Sequence, residues 1–222
     1  MPKLEVIHEN KDYIVVNKAA GLISEKSPYE AVTVETQVFN HLLKNKRKPY
    51  IGIIHRLDRV TSGVLILAKK KSILVEFNTL FSSRKVRKSY IAIVKNKPVK
   101  TKGNLVNFLV KNTLEKRADI VPTKSKDSLN CSLSYEVIGK NEFGYLLEVK
   151  PKTGRFHQIR AQLANLGLPI IGDEKYGSDQ KYLPLSICLH AWRITYENSS
   201  SKESQTFEAP LPNNDFWKFD AI

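Results

Sequence analysis

Only two cysteines, Cys131 and Cys188, occur in this 222-residue chain. They lie far apart, so neither a disulfide framework nor a zinc site is indicated. No apolar run approaches the length that spans a bilayer. The start, Met1-Pro2-Lys3-Leu4-Glu5, enters a strand-like run without the apolar core of a signal peptide. Acidic residues are scarce, with 22 Asp and Glu against 36 Lys and Arg, for a formal net charge of +14. That excess exceeds what solubility needs and predicts a polyanionic partner, with nucleic acid ahead of an anionic membrane. Internal repeats, low-complexity tracts and clear linkers are absent as well. What remains is a cytoplasmic chain whose 41% hydrophobic content can bury a sizeable core, as one domain or two fused lobes.

The most informative stretch runs from Ile51 to Ala68. Ile53 and Ile54 precede, and Val64 to Ala68 follow, a polar segment that reads His55-Arg56-Leu57-Asp58-Arg59-Val60-Thr61-Ser62-Gly63. Either flank suits a short buried strand. A polar loop held between buried strands has its backbone fixed by the core while its side chains face outward, an arrangement suited to chemistry. A simple turn would explain Asp58, Thr61, Ser62 and Gly63, but a turn has no need of a His-Arg pair beside its Asp.

Elsewhere the pattern predicts strands over Leu4–His8 and Asp12–Asn17 and an amphipathic helix over Thr33–Leu43, ended by the basic run Lys44–Pro49. A second helix is expected over Ser72–Ser83 with Ser72 as its cap. The cationic cluster Arg84, Lys85, Arg87, Lys88 then leads into a strand over Tyr90–Val94, where spacing alone places the Tyr90 ring in the core. Edge hairpins are expected between residues 98 and 130, and an antiparallel pair over Cys131–Ile138 and Tyr145–Val149. Phe156, Ile159, Leu163 and Leu166 mark one face of a helix ended by Gly167. His157, Gln158 and Arg160 lie off that stripe, where they can face a polar cleft or simply solvent. A long strand over Leu185–Tyr196 and a capping tail, Glu208–Ile222, complete the chain.

Several chemistries fit poorly. A metal-dependent nuclease needs clustered carboxylates, which the basic stretches lack. Glycoside hydrolysis needs a second carboxylate; Asp58 has none in its motif, and Asp173-Glu174 lie in a distant loop. No G-x-S-x-G elbow occurs. A single carboxylate remains, with Arg155 or Arg160 as the cation that keeps it an anion, fit for nucleophilic attack on a sugar or a base.

The segment His55-Arg56-Leu57-Asp58-Arg59-Val60-Thr61-Ser62-Gly63-Val64 resembles the signature of the RluA-type pseudouridine synthases. The other marks follow in family order: Asn17-Lys18-x-x-Gly21-Leu22, Lys88-Ser89-Tyr90, Thr153-Gly154-Arg155-x-His157-Gln158-Ile159-Arg160, Gly172-Asp173-x-x-Tyr176-Gly177 and Leu189-His190-Ala191. The match spans roughly the whole chain. The resemblance implies an α+β pseudouridine synthase fold, a long, mostly antiparallel mixed sheet in two lobes with a central cleft, over residues 1–222 as one catalytic domain without a preceding S4 domain.

It further implies a monomeric enzyme without metal or organic cofactor that isomerises uridines in structured rRNA or tRNA, Asp58 being the nucleophile that releases uracil. Tyr90 would stack on the flipped base and assist proton removal. Arg155 would pair with Asp58, Arg56 would fill the space left in the RNA stack, and Leu189 would border the uracil. His55, Arg59, Thr61, Lys88, His157, Gln158 and Arg160 complete the implied RNA- and uracil-binding set. Ala19 stands where the family usually has proline, which predicts a looser loop there. The rival reading is a catalytically silent RNA-binding or RNA-folding protein. Either reading makes binding electrostatic. Affinity for RNA should therefore fall about a hundredfold or more between low and physiological salt, with log K linear in log salt; a flat response in a filter-binding titration would contradict the charge argument.

Overall fold

The structure, a computed structural model, describes residues 3–44, 47–198 and 203–221. The chain start, the basic run after α1 and the end of the tail thus fall partly outside the described residues, at Met1, Pro2, Asn45, Lys46 and Ile222. The chain divides into two compact units, one formed by Met1–Lys88 with His190–Leu211 and the other by Ser89–Leu189 with Pro212–Ile222.

In the first unit the sheet is built on β4 (Ser62–Ala68), every residue of which from Gly63 onward is buried. β4 pairs antiparallel with β2 (Tyr13–Lys18) along its length, and β2 pairs antiparallel with β1 (Glu5–Glu9). The short β3 (Gly52–Ile53) joins β4 at Leu67 and Ala68. β10 (Leu189–Glu197) meets β4 in parallel at His190–Ser62 and Ala191–Gly63, and carries β11 (Ser204–Glu208) antiparallel on it.

Period-two alternation puts Tyr13, Val15, Val64 and Ile66 in one apolar cluster with Phe77 and Leu80 of α2 (Lys71–Ser82) and with Ile194, Tyr196 and Phe207. Each large side chain buried there contributes about 2 kcal/mol, which anchors Ile54 on one side of the polar loop and Val64 and Ile66 on the other. α1 (Val34–Leu43) buries Val34, Val38 and Leu42 at helical spacing and is capped by Thr33, whose hydroxyl accepts from the Thr36 amide at 3.1 Å. α2 starts earlier than the Ser72 cap suggested. Lys70 is the extended residue before it and makes no side-chain cap bond.

The second unit has an antiparallel sheet in the order β5 (Arg87–Val94), β9 (Gly144–Pro151), β8 (Leu129–Asn141), β6 (Lys102–Asn112) and β7 (Arg117–Val121), with β12 (Asp220–Ala221) on β8. The expected hairpin and strand pair are both present. Ala161 of α3 (Gln158–Asn165) packs on Leu109, Ala118 and Cys131.

Three expectations need correcting here. The helix over Phe156–Leu166 is shorter, because His157 takes φ 50 and only residues from Gln158 onward are helical. Ile159 and Leu163 are buried as the stripe requires, but Phe156 and Leu166 are exposed, while the supposedly solvated Gln158 and Arg160 are buried. The strand expected from Leu185 begins only at Leu189, because Leu185 at φ 53 and a Ser186-to-Leu183 turn bend the chain first. The tail does pack in its unit: Trp217 is buried and its Nε1 donates to Tyr182 Oη at 2.9 Å. Among the described residues no helix is long and apolar enough to cross a membrane.

Gly63 pairs with Ala191 of β10 at close quarters. Its φ is +115, and a Cβ there would lie 2.2 Å from the Ala191 carbonyl oxygen. Gly167 also has positive φ (+79), but nothing lies within 4 Å of its missing Cβ. Gly63→Ala should therefore cost on the order of 3 kcal/mol and Gly167→Ala about 1 kcal/mol, read as shifts in urea midpoint at constant slope. Equal losses would show that backbone conformation, not the strand contact, sets the cost.

Candidate active site

Asp58 sits in the loop between β3 and β4, and both of its neighbours are tied to the segment that follows β2. Leu57 is buried, its amide donating to Ser24 Oγ at 3.1 Å while the same hydroxyl donates to the Leu57 carbonyl at 3.1 Å. The Arg59 carbonyl accepts from the Gly21 amide at 2.8 Å and from Lys18 Nζ at 3.1 Å. Asp58's own carbonyl accepts from the Thr61 amide at 3.1 Å, closing the turn over the buried Thr61.

Lys18, the second residue of the Asn17-Lys18-x-x-Gly21-Leu22 motif, has a structural task that its place in the motif does not reveal. It is 1% exposed, and its ammonium donates to the carbonyls of Ala19 (3.0 Å), Leu22 (2.7 Å) and Arg59 (3.1 Å). An ammonium has three donors and no acceptor, so this cage of main-chain oxygens matches it. The same bonds hold the loop around Ala19, where a proline was expected. Burial pulls the Lys18 pKa down to about 7, the Asp58 carboxylate pulling it back up and Arg59 pushing it further down. A charge-bearing amine thus faces the Asp58 carboxylate from within the scaffold.

The other end of the loop is held by His190, which is buried. Its Nε2 faces the Ala209 carbonyl at 3.4 Å, an acceptor only, so Nδ1 accepts from Ser62 Oγ at 2.8 Å. Burial pushes His190 down to about 4, which keeps that tautomer neutral. His55 is occupied in a similar way. Its Nε2 accepts from the Ile66 amide at 3.2 Å, its ring stacks on Phe81 at 5.2 Å, and burial with the nearby Lys88 lowers it to about 3. Lys88 lies 5.9 Å over the other partner in that stack, Phe81, and is itself lowered by burial. Both residues were expected to contact RNA; here the His55 ring braces β4.

Arg56 is exposed and pairs with Glu25 at 2.5 Å, and Arg59 pairs with Glu30. Such surface pairs are worth under about 1 kcal/mol. Arg84, Lys85 and Arg87 are exposed as well.

In the second unit Tyr90 is half-buried on β5, not in the core as spacing suggested, and its neighbour Ser89 donates to Glu148 Oε1 at 2.6 Å. Arg155 is exposed, with Nε donating to the Asn130 carbonyl at 3.3 Å. Gln158 fixes the turn that presents it. Gln158 Oε1 accepts from the Arg155 amide (3.0 Å) and the Thr153 hydroxyl (2.7 Å), while its Nε2 donates to the Ser132 carbonyl (3.0 Å).

Arg160 is 4% exposed and grips Asp173 with both arms, Nε to Oδ2 at 2.7 Å and Nη2 to Oδ1 at 2.8 Å. Its Nη1 donates to His157 Nε2 at 2.9 Å. Arg160 thus bonds Asp173 and His157 from a buried position, which corrects the expectation of a solvated helix face. Leu189 is buried. A surface depression of about 480 Å³, lined by Lys95, Lys140, Phe143, Tyr145 and Gln180 among others, contains none of these motif residues. Among the described residues, no cluster of His, Cys, Asp and Glu could hold a metal ion.

A fold of this kind is that of the pseudouridine synthases. The solved structure described as human RNA pseudouridylate synthase domain containing 1 superposes with a TM-score of 0.79 over 99% of this chain and 90% of its own, at 24% identity. The family model described as RNA pseudouridylate synthase matches residues 12–165. The chain is 32% identical to the tRNA pseudouridine synthase C of Vibrio vulnificus, covering 94% of this chain and 91% of that protein. It is also 32% identical to the ribosomal large subunit pseudouridine synthase C of Rickettsia bellii, over 94% and 68% respectively. The chain belongs to the RluA-type branch of the RNA pseudouridylate synthase family, and its reaction class is that of an RNA pseudouridine synthase, an isomerase.

The Lys18 cage makes a pH prediction. In the unfolded chain the lysine keeps its proton to about pH 10.5, and in the folded chain only to about 7. Across that window the unfolded state binds more protons, so the contribution of Lys18 to stability rises with pH, by at most about 1.4 kcal/mol per unit. Below it the full penalty of a buried charge is present. Urea unfolding of wild type and Lys18→Met across that window should show a difference that moves in favour of wild type as pH rises. A difference independent of pH would mean that the carbonyl cage holds the proton throughout.

Proposed function

We propose that this pseudouridine synthase acts on specific uridines of structured tRNA or ribosomal RNA, flips the target uridine out of its stack, and uses Asp58 as the nucleophile. The observation that carries the reading is the clamping of Leu57 and Arg59 on either side of Asp58, which presents one carboxylate from a preorganised loop at no further ordering cost. The relatives named for tRNA and for the ribosomal large subunit support the substrate class, and the surplus of cations supports a phosphate-rich partner.

Isomerisation needs no atoms added. The bond between ribose C1′ and uracil N1 breaks, C5 of the rotated base bonds to C1′, C5 loses a proton and N1 gains one. Asp58 attacks to release the base, and its bond to the nucleotide breaks again by the time C5 is joined to C1′, which returns the free carboxylate. Tyr90 stacks on the flipped uracil and assists removal of the C5 proton. Arg155 is the cation assigned to the Asp58 carboxylate. Arg56, held only by the exposed Glu25, exchanges that pair for the gap left in the RNA stack. Arg59, Thr61, Lys88, His157, Gln158 and Leu189 support the RNA and uracil sites, several of them by holding backbone rather than by touching the nucleotide.

Asp58→Asn preserves the shape of the side chain and removes its charge. Pseudouridine formation on uridine-containing transcripts should fall by at least about a thousandfold with RNA affinity little changed. Turnover at the wild-type rate would reject Asp58 as the nucleophile. Mapping pseudouridines in total RNA from cells with and without the protein should reveal one or a few lost positions, and these name the substrate.

A further inference from the structure

We propose that Phe156 is a stacking platform for an unpaired base of the RNA substrate, a subsite distinct from the position of the target uridine. The inference rests on the reading above that the substrate is RNA. A single exposed phenylalanine is ordinary on a protein surface, and what needs explaining here is the construction beneath it. Phe156 is 39% exposed, and its ring lies on the imidazole of His157 with centroids 3.8 Å apart and planes 20° from parallel.

That imidazole is itself immobilised. Its Nε2 accepts from Arg160 Nη1 at 2.9 Å, so Nδ1 carries the proton and faces Tyr176 Oη at 3.1 Å. Tyr176 Oη also accepts from the Ala118 amide at 2.7 Å, and the Arg160 guanidinium lies 5.0 Å over the Tyr176 ring. Arg160 in turn is locked by its two-armed grip on the buried Asp173.

His157 adopts φ 50, a left-handed conformation costing a non-glycine residue about 1–2 kcal/mol. The strain and the buried network together hold an apolar ring at the surface, one face on the His157 imidazole and its remaining area toward water. Packing does not account for the arrangement, but binding a planar ligand does.

The charges around it select the ligand. Lys111 on β6 places its ammonium 5.4 Å from the Phe156 centroid, and the exposed Arg155 and Lys152 precede Phe156 in the chain. An aromatic face beside cations takes a base with its phosphates, and does so without regard to which base it is. Lys111, on a flexible stem, can give up the ring and follow the backbone phosphate.

The test uses the full chain and a short single-stranded RNA carrying a fluorescent adenine analogue. Phe156→Ala and Phe156→Leu should each weaken binding about five- to a hundredfold, whereas Phe156→Trp should retain it and quench the analogue. Because the side chain is exposed, thermal unfolding of all three should match wild type. Wild-type affinity in Phe156→Leu would show that any apolar group suffices. Undiminished binding in Phe156→Ala, or wild type failing to bind this RNA, would likewise overturn the platform, and the ring would then be free to serve a protein contact. The result stands apart from the enzymatic reading. If wild type forms no pseudouridine yet binds and quenches as described, the platform stands and the catalytic assignment falls. If it forms pseudouridine while Phe156→Ala binds undiminished, the reverse holds.

Discussion

A buried ammonium enclosed by main-chain oxygens is the constraint on which the Asp58 loop depends. Lys18 Nζ bonds the carbonyls of Ala19, Leu22 and Arg59, so one side chain joins the turn after β2 to the residue following Asp58. Ser24 does the same for the residue before it. Buried carbonyls without donors are costly, so this loop has little freedom to relax into another arrangement. The position of Asp58 in the chain is set by its neighbours.

The second unit repeats the logic with different residues. Gln158 and Arg160 belong to a motif whose obvious reading is contact with substrate, yet both are buried and both bond to the protein. Gln158 shapes the turn that presents Arg155, and Arg160 immobilises His157 through a bidentate grip on Asp173. Much of each motif is scaffold for one or two exposed groups. Scaffold of this kind tolerates little change, because a polar side chain removed from a buried network leaves its partners unsatisfied.

The strands flanking Asp58 and the first helix were readable from the sequence because they rest on apolar periodicity, which local residues carry in full. The same rule misplaced Phe156 and Leu166. Periodicity assumes that the helix runs through the whole stripe, whereas His157 starts it late by turning into the left-handed region and the helix ends at Asn165, one residue before Leu166. Lys18 was unreadable for a different reason: its acceptors are carbonyl oxygens, which every residue has and no sequence pattern marks. The pairing of Arg160 with Asp173 was equally hidden, since a loop partner 13 residues away has no periodic signature. The family resemblance supplied the identity of Asp58, which composition and spacing had only narrowed to a lone carboxylate.

His190 and Ala191 meet Ser62 and Gly63 across a gap of 128 residues, and the whole second unit except Pro212–Ile222 lies within that gap. Contacts of such separation must wait for the chain between them to be made and ordered. On the ribosome, then, the loop bearing Asp58 stays unfinished until synthesis has passed Ala191. His190 and Ala191 act as the latch of that loop, and a nascent chain that stops short of them carries the Asp58 motif without its closing contacts.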